Sequence, residues 1–474
     1  MALSDAYNLL ALSDVHLGSD LVYHVRPDAP RRTATSDRRD RDLVALLDYY
    51  RLTRVDDRPW RLVIGGDFID FTGMSVMLPC SDVHGGVIVT EPTEEELAHG
   101  LGGAEDHTLA KLRLVMAHHA EVMQALSAFV AAGNQLVIVP GNHDVDWHWD
   151  SAQTEFKQAL TDGGAVDQSR ITFAPWFYYE EGLIYLEHGH QYDSYCSHDH
   201  VLYPVSPNDP RRSARSLSDI LLRYVVRPTR GMTEGGHDAM SWHDYLRFAV
   251  SLGVGGLLML ARRFFNANRA LFALWREHVS EAATRARGEH ERRIGRFNEL
   301  RAVGLERLKK LVHLQRPPLT RSIGALMSGV MLDRVLMALL SGLAMAAAFT
   351  VFDHWAAAGG VGLAVALVLA VLRRAWFRRH AVDPTVMLRE GSAGVARLFP
   401  AAFVVMGHTH LPEVSPASDQ ATYVNLGAWA EEEVSEGRPA LPATRTHLVL
   451  THGSSPVARL MQWRDEGPHP FVES

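Results

Sequence analysis

The sequence predicts an α/β fold interrupted by a long helical insertion. Four short apolar runs recur before the insertion, each followed at once by a polar turn, and they are Leu9–Leu12, Leu62–Ile64, Leu136–Val139 and Leu183–Leu186. Segments with helical periodicity lie between them, as in Asp42–Leu52 and Leu109–Val130. Strands that alternate with helices form a sheet flanked by helices, and the loops at the strands' carboxyl ends gather on one edge.

A change in residue pattern marks the insertion. From about residue 206 to 400 helical patterns and arginines dominate, and strand patterns nearly vanish. Strand-like runs then return at Ala402–Met406, Thr422–Leu426, Thr446–Leu450 and Val457–Met461. We therefore expect residues 1–205 and 401–474 to form one domain, with the helical residues 206–400 inserted into it.

Composition restricts the class of protein. The 474 residues are 47% hydrophobic and 22% charged, which suits a folded chain with a core and argues against a disordered one. The net charge of −8 gives no indication of nucleic-acid binding, so we expect no nucleic-acid partner. Two cysteines far apart in sequence predict neither a disulfide framework nor a cysteine zinc site, and they favour a reducing compartment.

A long apolar segment within the insertion indicates a membrane. Val335–Phe352 is a run of 18 residues without a charge, and Ala356–Leu372 adds 17 more. Arginines flank both outer ends, as expected for a helical hairpin whose two ends lie in the cytoplasm. We expect the protein on the cytoplasmic side of the cell membrane, integral through the hairpin 335–372. The alternative is a hairpin buried in a cytoplasmic protein.

Five short segments contain metal-binding side chains, and each directly follows an apolar run. They are Asp14-Val15-His16, Gly66-Asp67-Phe68-Ile69-Asp70, Gly141-Asn142-His143-Asp144, His188-Gly189-His190 and Gly407-His408-Thr409-His410. Because a sheet brings the carboxyl ends of its strands to one edge, we expect these side chains to meet there, with enough ligands for two divalent ions. Mixed imidazole and carboxylate ligands disfavour magnesium and calcium and leave manganese, iron or zinc.

The order of these segments resembles the calcineurin-like metallophosphoesterase family, whose motifs run D-x-H, GD-x-x-D, GNH[DE], a histidine before glycine, and GH-x-H. The resemblance covers about residues 8–193 and 401–470. It implies a β-sandwich flanked by helices (αββα), two metal ions at the sheet edge, and hydrolysis of a phosphoester by a hydroxide that bridges the metals. Membrane-associated bacterial members similar to UDP-2,3-diacylglucosamine hydrolase imply a lipid-linked phosphate or pyrophosphate as substrate.

The resemblance also implies a role for each matching residue. The metal ligands would be Asp14, His16 and His410 for the first ion, Asn142, His188 and His408 for the second, and Asp67 between the two. His143 would donate a proton to the leaving group, and Asp144 would orient its imidazole. Asp70 would hold a ligand histidine by a hydrogen bond rather than bind metal. The family favours manganese over iron and zinc.

Other polar residues near the motifs are weaker candidates. His190, beside a ligand in sequence, and the loop residues Arg26 and Arg31 are candidates for contact with the substrate phosphate. A solvated loop is the alternative for the two arginines. His118 and His119 lie within an apolar helical pattern, where we expect packing rather than metal binding.

Several functions stay open on the sequence alone. The leading hypothesis is a phosphoesterase at the membrane; its alternative is a phosphatase for soluble phosphoproteins or nucleotides that is merely anchored there. A nuclease is disfavoured by the acidic charge. A scaffold that has lost turnover is disfavoured because every ligand position is filled by a ligand residue. The sequence predicts no oligomeric state.

Overall fold

The computed structural model describes residues 7–21, 34–76, 89–161, 163, 166–229, 251–330, 332–351, 355–376, 383–431, 443–451, 456–465 and 467–472. The strands in these residues are β1 (Asn8–Leu12), β2 (Trp60–Gly65), β3 (Gln135–Val139), β4 (Ile171–Phe173), β5 (Tyr178–Glu180), β6 (Gly182–Leu186), β7 (Ala401–Met406), β8 (Glu413–Ser418), β9 (Ala421–Asn425), β10 (Thr446–Thr451), β11 (Val457–Arg464) and β12 (Gly467–Pro470). Each of the eight strands predicted from the apolar runs is present.

The α-helices of the described residues fall between the strands and, above all, between β6 and β7. They are α1 (Ala34–Leu52), α2 (Glu94–His99), α3 (Glu105–His118), α4 (Ala120–Ala131), α5 (Asp150–Leu160), α6 (Leu217–Leu221), α7 (Gly253–His278), α8 (Glu281–Arg301), α9 (Leu305–Leu314), α10 (Ile323–Gly329), α11 (Leu332–Val351), α12 (Trp355–Trp376) and α13 (Pro384–Leu398).

The strands form two mixed sheets. The first has the order β12-β11-β10-β1-β2-β3-β4, in which β1 to β4 are parallel and β10 is antiparallel to β1. The second has the order β5-β6-β7-β9-β8, with a parallel centre of β6, β7 and β9. Because β7 pairs directly with β6, the chain after the insertion completes the sheet begun before it.

Apolar side chains from both sheets fill the space between them, which makes the two sheets a sandwich. Leu9 and Val63 of the first sheet belong to the same buried cluster as Leu186 and Val424 of the second. A second cluster packs helices α1, α3, α4 and α5 on the outer face of the first sheet. A third packs α8, α9 and α13 on the outer face of the second sheet. The αββα arrangement expected for the family is therefore confirmed.

The long helix predicted over Leu109–Val130 is two helices. They are α3 and α4, which meet at His119 with a bend of 88°. His119 has a non-helical backbone conformation and a fully buried side chain. Its imidazole is hydrogen-bonded to the carboxylate of Asp40 and to the backbone N–H of Gly18. These hydrogen bonds hold His119 where the helix is interrupted.

Helices α11 and α12 cover the apolar segment 335–372 and pack against each other. Within the described residues, no single helix has the length and apolarity needed to cross a membrane. Helices α3 and α4 meet the length and composition criteria only as a bent pair. The expectation of a membrane-spanning hairpin is therefore not confirmed.

Candidate metal centre

The five motif segments meet at one edge of the sandwich, where β1, β2, β3, β6 and β7 end. The backbone N–H of Asp14 donates to the Gly66 carbonyl at 3.1 Å, which joins the first two segments. The N–H of Gly407 donates to the His188 carbonyl at 2.9 Å, and the N–H of His408 donates to the Asp14 carboxylate at 3.1 Å. The segments from opposite ends of the chain are thus hydrogen-bonded to one another.

Asp14, His16 and His410 form one group of potential ligands. The Nε2 atom of His410 lies 3.2 Å from an Asp14 carboxylate oxygen. The rings of His16 and His410 are 5.3 Å apart between centroids. The set expected from the resemblance to hold the first ion is therefore brought together, with Asp14 and His16 buried and His410 partly exposed.

His188 is the centre of the second group. Its Nδ1–H donates to the Gly65 carbonyl at 2.9 Å, which leaves Nε2 for a ligand role. Nε2 lies 3.1 Å from Asp67 Oδ2 and 3.2 Å from Asn142 Oδ1. The ring of His408 lies 5.3 Å from that of His188, and its Nε2 is 3.2 Å from Asp193, so Nδ1 is the ring nitrogen left for a metal.

The chemistry of these side chains fits divalent cations. Both ring nitrogens of buried His16 have no hydrogen-bond partner among the described residues, a costly arrangement that a metal ion would relieve. Burial alone would raise the pKa of Asp14, yet the nearby His188 and His410 lower it to about 2. Burial alone would lower the pKa of His188, but Asp67 and Asp14 raise it to about 9. The buried carboxylates thus attract positive charge strongly.

The backbone of the ligand residues is strained. Five of the ten described non-glycine residues with positive φ are expected ligands, namely Asp14 (54°), His16 (50°), Asp67 (51°), His408 (73°) and His410 (60°). A left-handed conformation costs roughly 1 kcal/mol or more for an L-residue with a side chain. Such strain persists where function requires a particular side-chain direction, and here it coincides with the ligands.

Two glycines allow the segments to approach this closely. Gly66 has a φ of 93°, and a Cβ added there would overlap the ring of His188. A Cβ on Gly141 would overlap the carboxylate of Asp67. The glycines in these motifs therefore serve the close packing of ligand residues.

His143 and Asp70 form a pair beside the ligands, which corrects the role expected for Asp70. The His143 Nδ1 lies 2.7 Å from Asp70 Oδ1, so Asp70 holds the expected proton donor rather than a ligand histidine. The other Asp70 oxygen accepts a hydrogen bond from Arg227 at 3.0 Å. The His143 ring is 4.7 Å from that of His16 and is partly exposed, so it lies at the open side of the ligand cluster.

Asp144 does not have the role expected for it. Instead of orienting His143, its carboxylate accepts hydrogen bonds from the backbone N–H groups of Gly141, Asp67 and Phe68 and from the Trp147 indole. These donors lie at 2.6 to 3.3 Å. Asp144 therefore fixes the two loops that contain Asp67 and Asn142. Its short side chain reaches the backbone of its own turn more readily than the neighbouring imidazole.

Three residues were candidates for contact with the substrate phosphate, and the structure describes one of them, His190. His190 is buried, with its ring 5.4 Å from that of His188. Arg26 and Arg31 lie outside the described residues.

Sequence reasoning missed several polar contacts at the centre and around it. Arg227 and Asp193 belong to no motif, and no sequence signal distinguishes them from other charged residues. His118 and His119 are not merely packed, because His118 Nε2 lies 2.9 Å from Asp20 and His119 binds the backbone of Gly18. The pair of adjacent histidines in an apolar helical pattern was the sequence feature that could have indicated these contacts.

A comparison with protein-family models agrees with this geometry. Residues 7–256 match the family model described as calcineurin-like phosphoesterase. No curated protein matches the chain. Among solved structures, the chain is similar to a phosphopantetheinyl hydrolase from Mycobacterium tuberculosis, with 10% identity, 92% of this chain and 98% of that chain covered, and a TM-score of 0.22. The family model spans more than half of the sequence, and this chain accordingly belongs to the calcineurin-like phosphoesterases and is a metal-dependent phosphoesterase.

Proposed function

We propose that the protein hydrolyses a phosphate ester or pyrophosphate with two divalent ions, preferably manganese. The observation that supports this most is the convergence of seven ligand-type side chains, five of them on strained backbone, at one edge of the sandwich. Asp14, His16 and His410 would hold one ion, Asn142, His188 and His408 the other, and Asp67 would contact both. Bound divalent ions would supply Lewis-acid chemistry, withdrawing charge from phosphate oxygens and making water more nucleophilic near neutral pH.

The protein's own residues would manage the leaving group. His143 donates its Nδ1–H to Asp70, which leaves Nε2 to carry the proton that a departing alkoxide needs. The Asp70 carboxylate is buried and stabilises the protonated imidazole. The backbone N–H of His143 also donates to Asp67 at 2.8 Å, which fixes the proton donor relative to the ligands.

We further propose that the protein works at the cytoplasmic face of a membrane, on a lipid-linked phosphate. In support, α11 and α12 expose many large apolar side chains. They include Leu339 (60%), Leu343 (67%), Leu363 (61%) and Val371 (65%). An apolar surface of this kind is typical of an interaction site rather than of a free surface. Basic residues flank the segment at both ends, as an anionic lipid surface would favour.

Hydrolysis by the purified protein tests the catalytic proposal. Manganese-loaded protein should hydrolyse a panel of lipid, nucleotide and peptide phosphates to different extents, and Asp67→Ala should abolish both hydrolysis and metal binding. Asp419→Ala, an exposed aspartate in the β8–β9 turn, is the matched control and should retain activity. Inactivity of the wild type with manganese, iron and zinc would favour a scaffold. Preference for peptide or nucleotide phosphates would favour the soluble-substrate alternative.

Deletion of Val335–Leu372 tests the membrane proposal. The intact protein should sediment with phosphatidylglycerol-containing vesicles, and the deletion variant should stay in the supernatant while retaining hydrolysis of a small soluble phosphoester. An intact protein that stays in the supernatant with these vesicles would contradict the proposal.

A further inference from the structure

A cavity of about 450 Å³ lies directly beside the metal centre. Its lining includes Gly141 and His188, from two of the ligand segments, and Phe297 of helix α8. This volume falls within the range of small-molecule sites. The cavity therefore adjoins the metal centre at Gly141 and His188, and it is large enough for an organic group attached to a phosphate bound there.

The walls of the cavity include several aromatic side chains and are partly built by the insertion. Trp176 and Phe297 are 3% and 7% exposed, and their ring centroids are 6.1 Å apart. Trp147, which is 2% exposed, is a third aromatic side chain in the lining. Arg293 holds α8 in place by donating to the Leu202 carbonyl at 3.2 Å. An apolar ligand body would thus pack between the sandwich and the inserted helix.

Two residues that line the cavity, Trp176 and His190, each have a buried hydrogen-bond donor with no acceptor among the described residues. One is the Trp176 indole N–H. The other belongs to His190, whose Nε2 lies 3.1 Å from the side-chain amide nitrogen of Gln191 and so accepts from it. The hydrogen of the neutral ring is then on Nδ1, which is buried and unpartnered. A buried donor without an acceptor is costly, so an oxygen acceptor supplied by a ligand would stabilise both groups.

We propose that this cavity binds the organic group of the phosphoester substrate, and that this group is an apolar body with carbonyl oxygens, as in acyl esters or amides. Trp176 and Phe297 then determine specificity, the first by its N–H and the second by its ring. The inference rests on the proposed function for the position of the phosphate. Acylated lipid phosphates and soluble amide-containing phosphoesters share this chemistry.

Binding of non-hydrolysable phosphonates to the metal-loaded full chain, measured by calorimetry, tests the inference without turnover. Octylphosphonate should bind at least about tenfold more tightly than methylphosphonate, because its chain leaves water for the aromatic walls. An amide-containing phosphonate of equal length should gain a further factor of about three to ten from the unpartnered donors. A monoacylglycerol phosphonate of equal chain length distinguishes the lipid source from the soluble one.

Three variants test which residues cause the preference for the long phosphonate and the gain from the amide. Phe297→Ala should reduce the preference for octylphosphonate over methylphosphonate. Trp176→Phe removes one of the two donors, so it should reduce the amide gain while leaving that preference. Phe265→Ala, an exposed aromatic on α7, is the matched control and should change neither. Equal binding of short and long phosphonates, or no binding of either, would overturn the inference. Tight binding of the long phosphonates without hydrolysis of any ester would support the cavity and refute the proposed function.

Discussion

Asp70 joins His143 to Arg227 through its two carboxylate oxygens. Oδ1 lies 2.7 Å from the His143 imidazole, and Oδ2 lies 3.0 Å from the Arg227 guanidinium. Burial would raise the pKa of Asp70, but the adjacent His143 and Arg227 hold it well below its usual range. Because Arg227 follows β6 and precedes β7, a residue of the predicted insertion takes part in orienting the expected proton donor.

Replacing Asp70 by asparagine should slow turnover without loss of metal. The amide retains the shape of the carboxylate but not its charge, so it no longer stabilises the protonated imidazole. We expect kcat to fall by about 10- to 100-fold, as is typical when a residue that orients a functional group is changed. Steady-state kinetics with metal content measured on the same samples checks this.

Arg227→Gln is the matched control for the Asp70 variant. It removes the cation on the far side of the same carboxylate and leaves the His143 contact in place, so its effect on kcat should be smaller. An Asp70→Asn protein with wild-type kcat, or one that has lost its metal, would contradict the assigned role.

His119 should position the loop that contains the first two ligands. Its Nε2 accepts a hydrogen bond from the Gly18 N–H at 3.0 Å, and its Nδ1 donates to Asp40 at 2.6 Å. Burial lowers the pKa of His119 to about 4, which keeps the ring neutral with one donor and one acceptor. Loss of the Gly18 contact should weaken metal binding by about 10- to 100-fold.

Two substitutions separate the contacts of His119. Glutamine places an acceptor near the position of Nε2 and can retain the Gly18 bond, whereas asparagine can retain only the Asp40 bond. Metal titration should therefore rank the proteins as wild type, then His119→Gln, then His119→Asn. Equal metal affinity in all three would show that the histidine serves packing alone.

Replacing Asp144 should lower the stability of the folded protein, because Asp144 binds backbone groups and takes no direct part in the proposed reaction. Its carboxylate accepts from three backbone N–H groups and an indole, all buried. An asparagine side chain turns an NH₂ group toward donors, so at least one buried N–H loses its acceptor, at a cost of about 1–3 kcal/mol. Denaturant unfolding of metal-free Asp144→Asn should show this loss, and unchanged stability would contradict it.

The ligand segments and the central strands could be predicted from the sequence because both produce local patterns. An apolar run that ends in a short polar motif specifies a buried strand and the loop at its carboxyl end. The four strands that the sequence did not reveal, β4, β5, β8 and β12, are the edge strands of the two sheets. Edge strands bury less surface and tolerate proline, as at Pro416 and Pro468, so their pattern is weak.

Partners distant in sequence could not be predicted in the same way. The motif places Asp144 beside His143, but the direction of each side chain is set by the turn, and the carboxylate that reaches the imidazole belongs to Asp70. The contact of Arg227 with Asp70 spans 157 positions in sequence. Such a contact depends on the packing of the insertion, which no local pattern specifies.

The pH dependence of stability should report on His447, a fully buried residue of β10 whose Nε2 lies 2.9 Å from the Tyr50 hydroxyl. Burial lowers the pKa of His447 to about 3, below its ordinary value of 6.5. Between these values the unfolded chain binds a proton that the folded protein does not, so stability is lost as pH falls below 6.5. This residue alone should cost about 2 kcal/mol at pH 5 relative to pH 7.5.

His447→Gln isolates this contribution, because glutamine does not titrate and can still accept a hydrogen bond from Tyr50. The free energy of unfolding of the metal-free protein should be measured by denaturant at pH 7.5 and pH 5 for both proteins. The two proteins need not have the same free energy of unfolding at pH 7.5. Relative to their difference at that pH, the free energy of unfolding of the variant should be higher by about 2 kcal/mol at pH 5, because only the wild type loses this stability. A constant difference between the two proteins would mean that the imidazole is protonated in the folded state, and hence that it is not buried as a neutral ring.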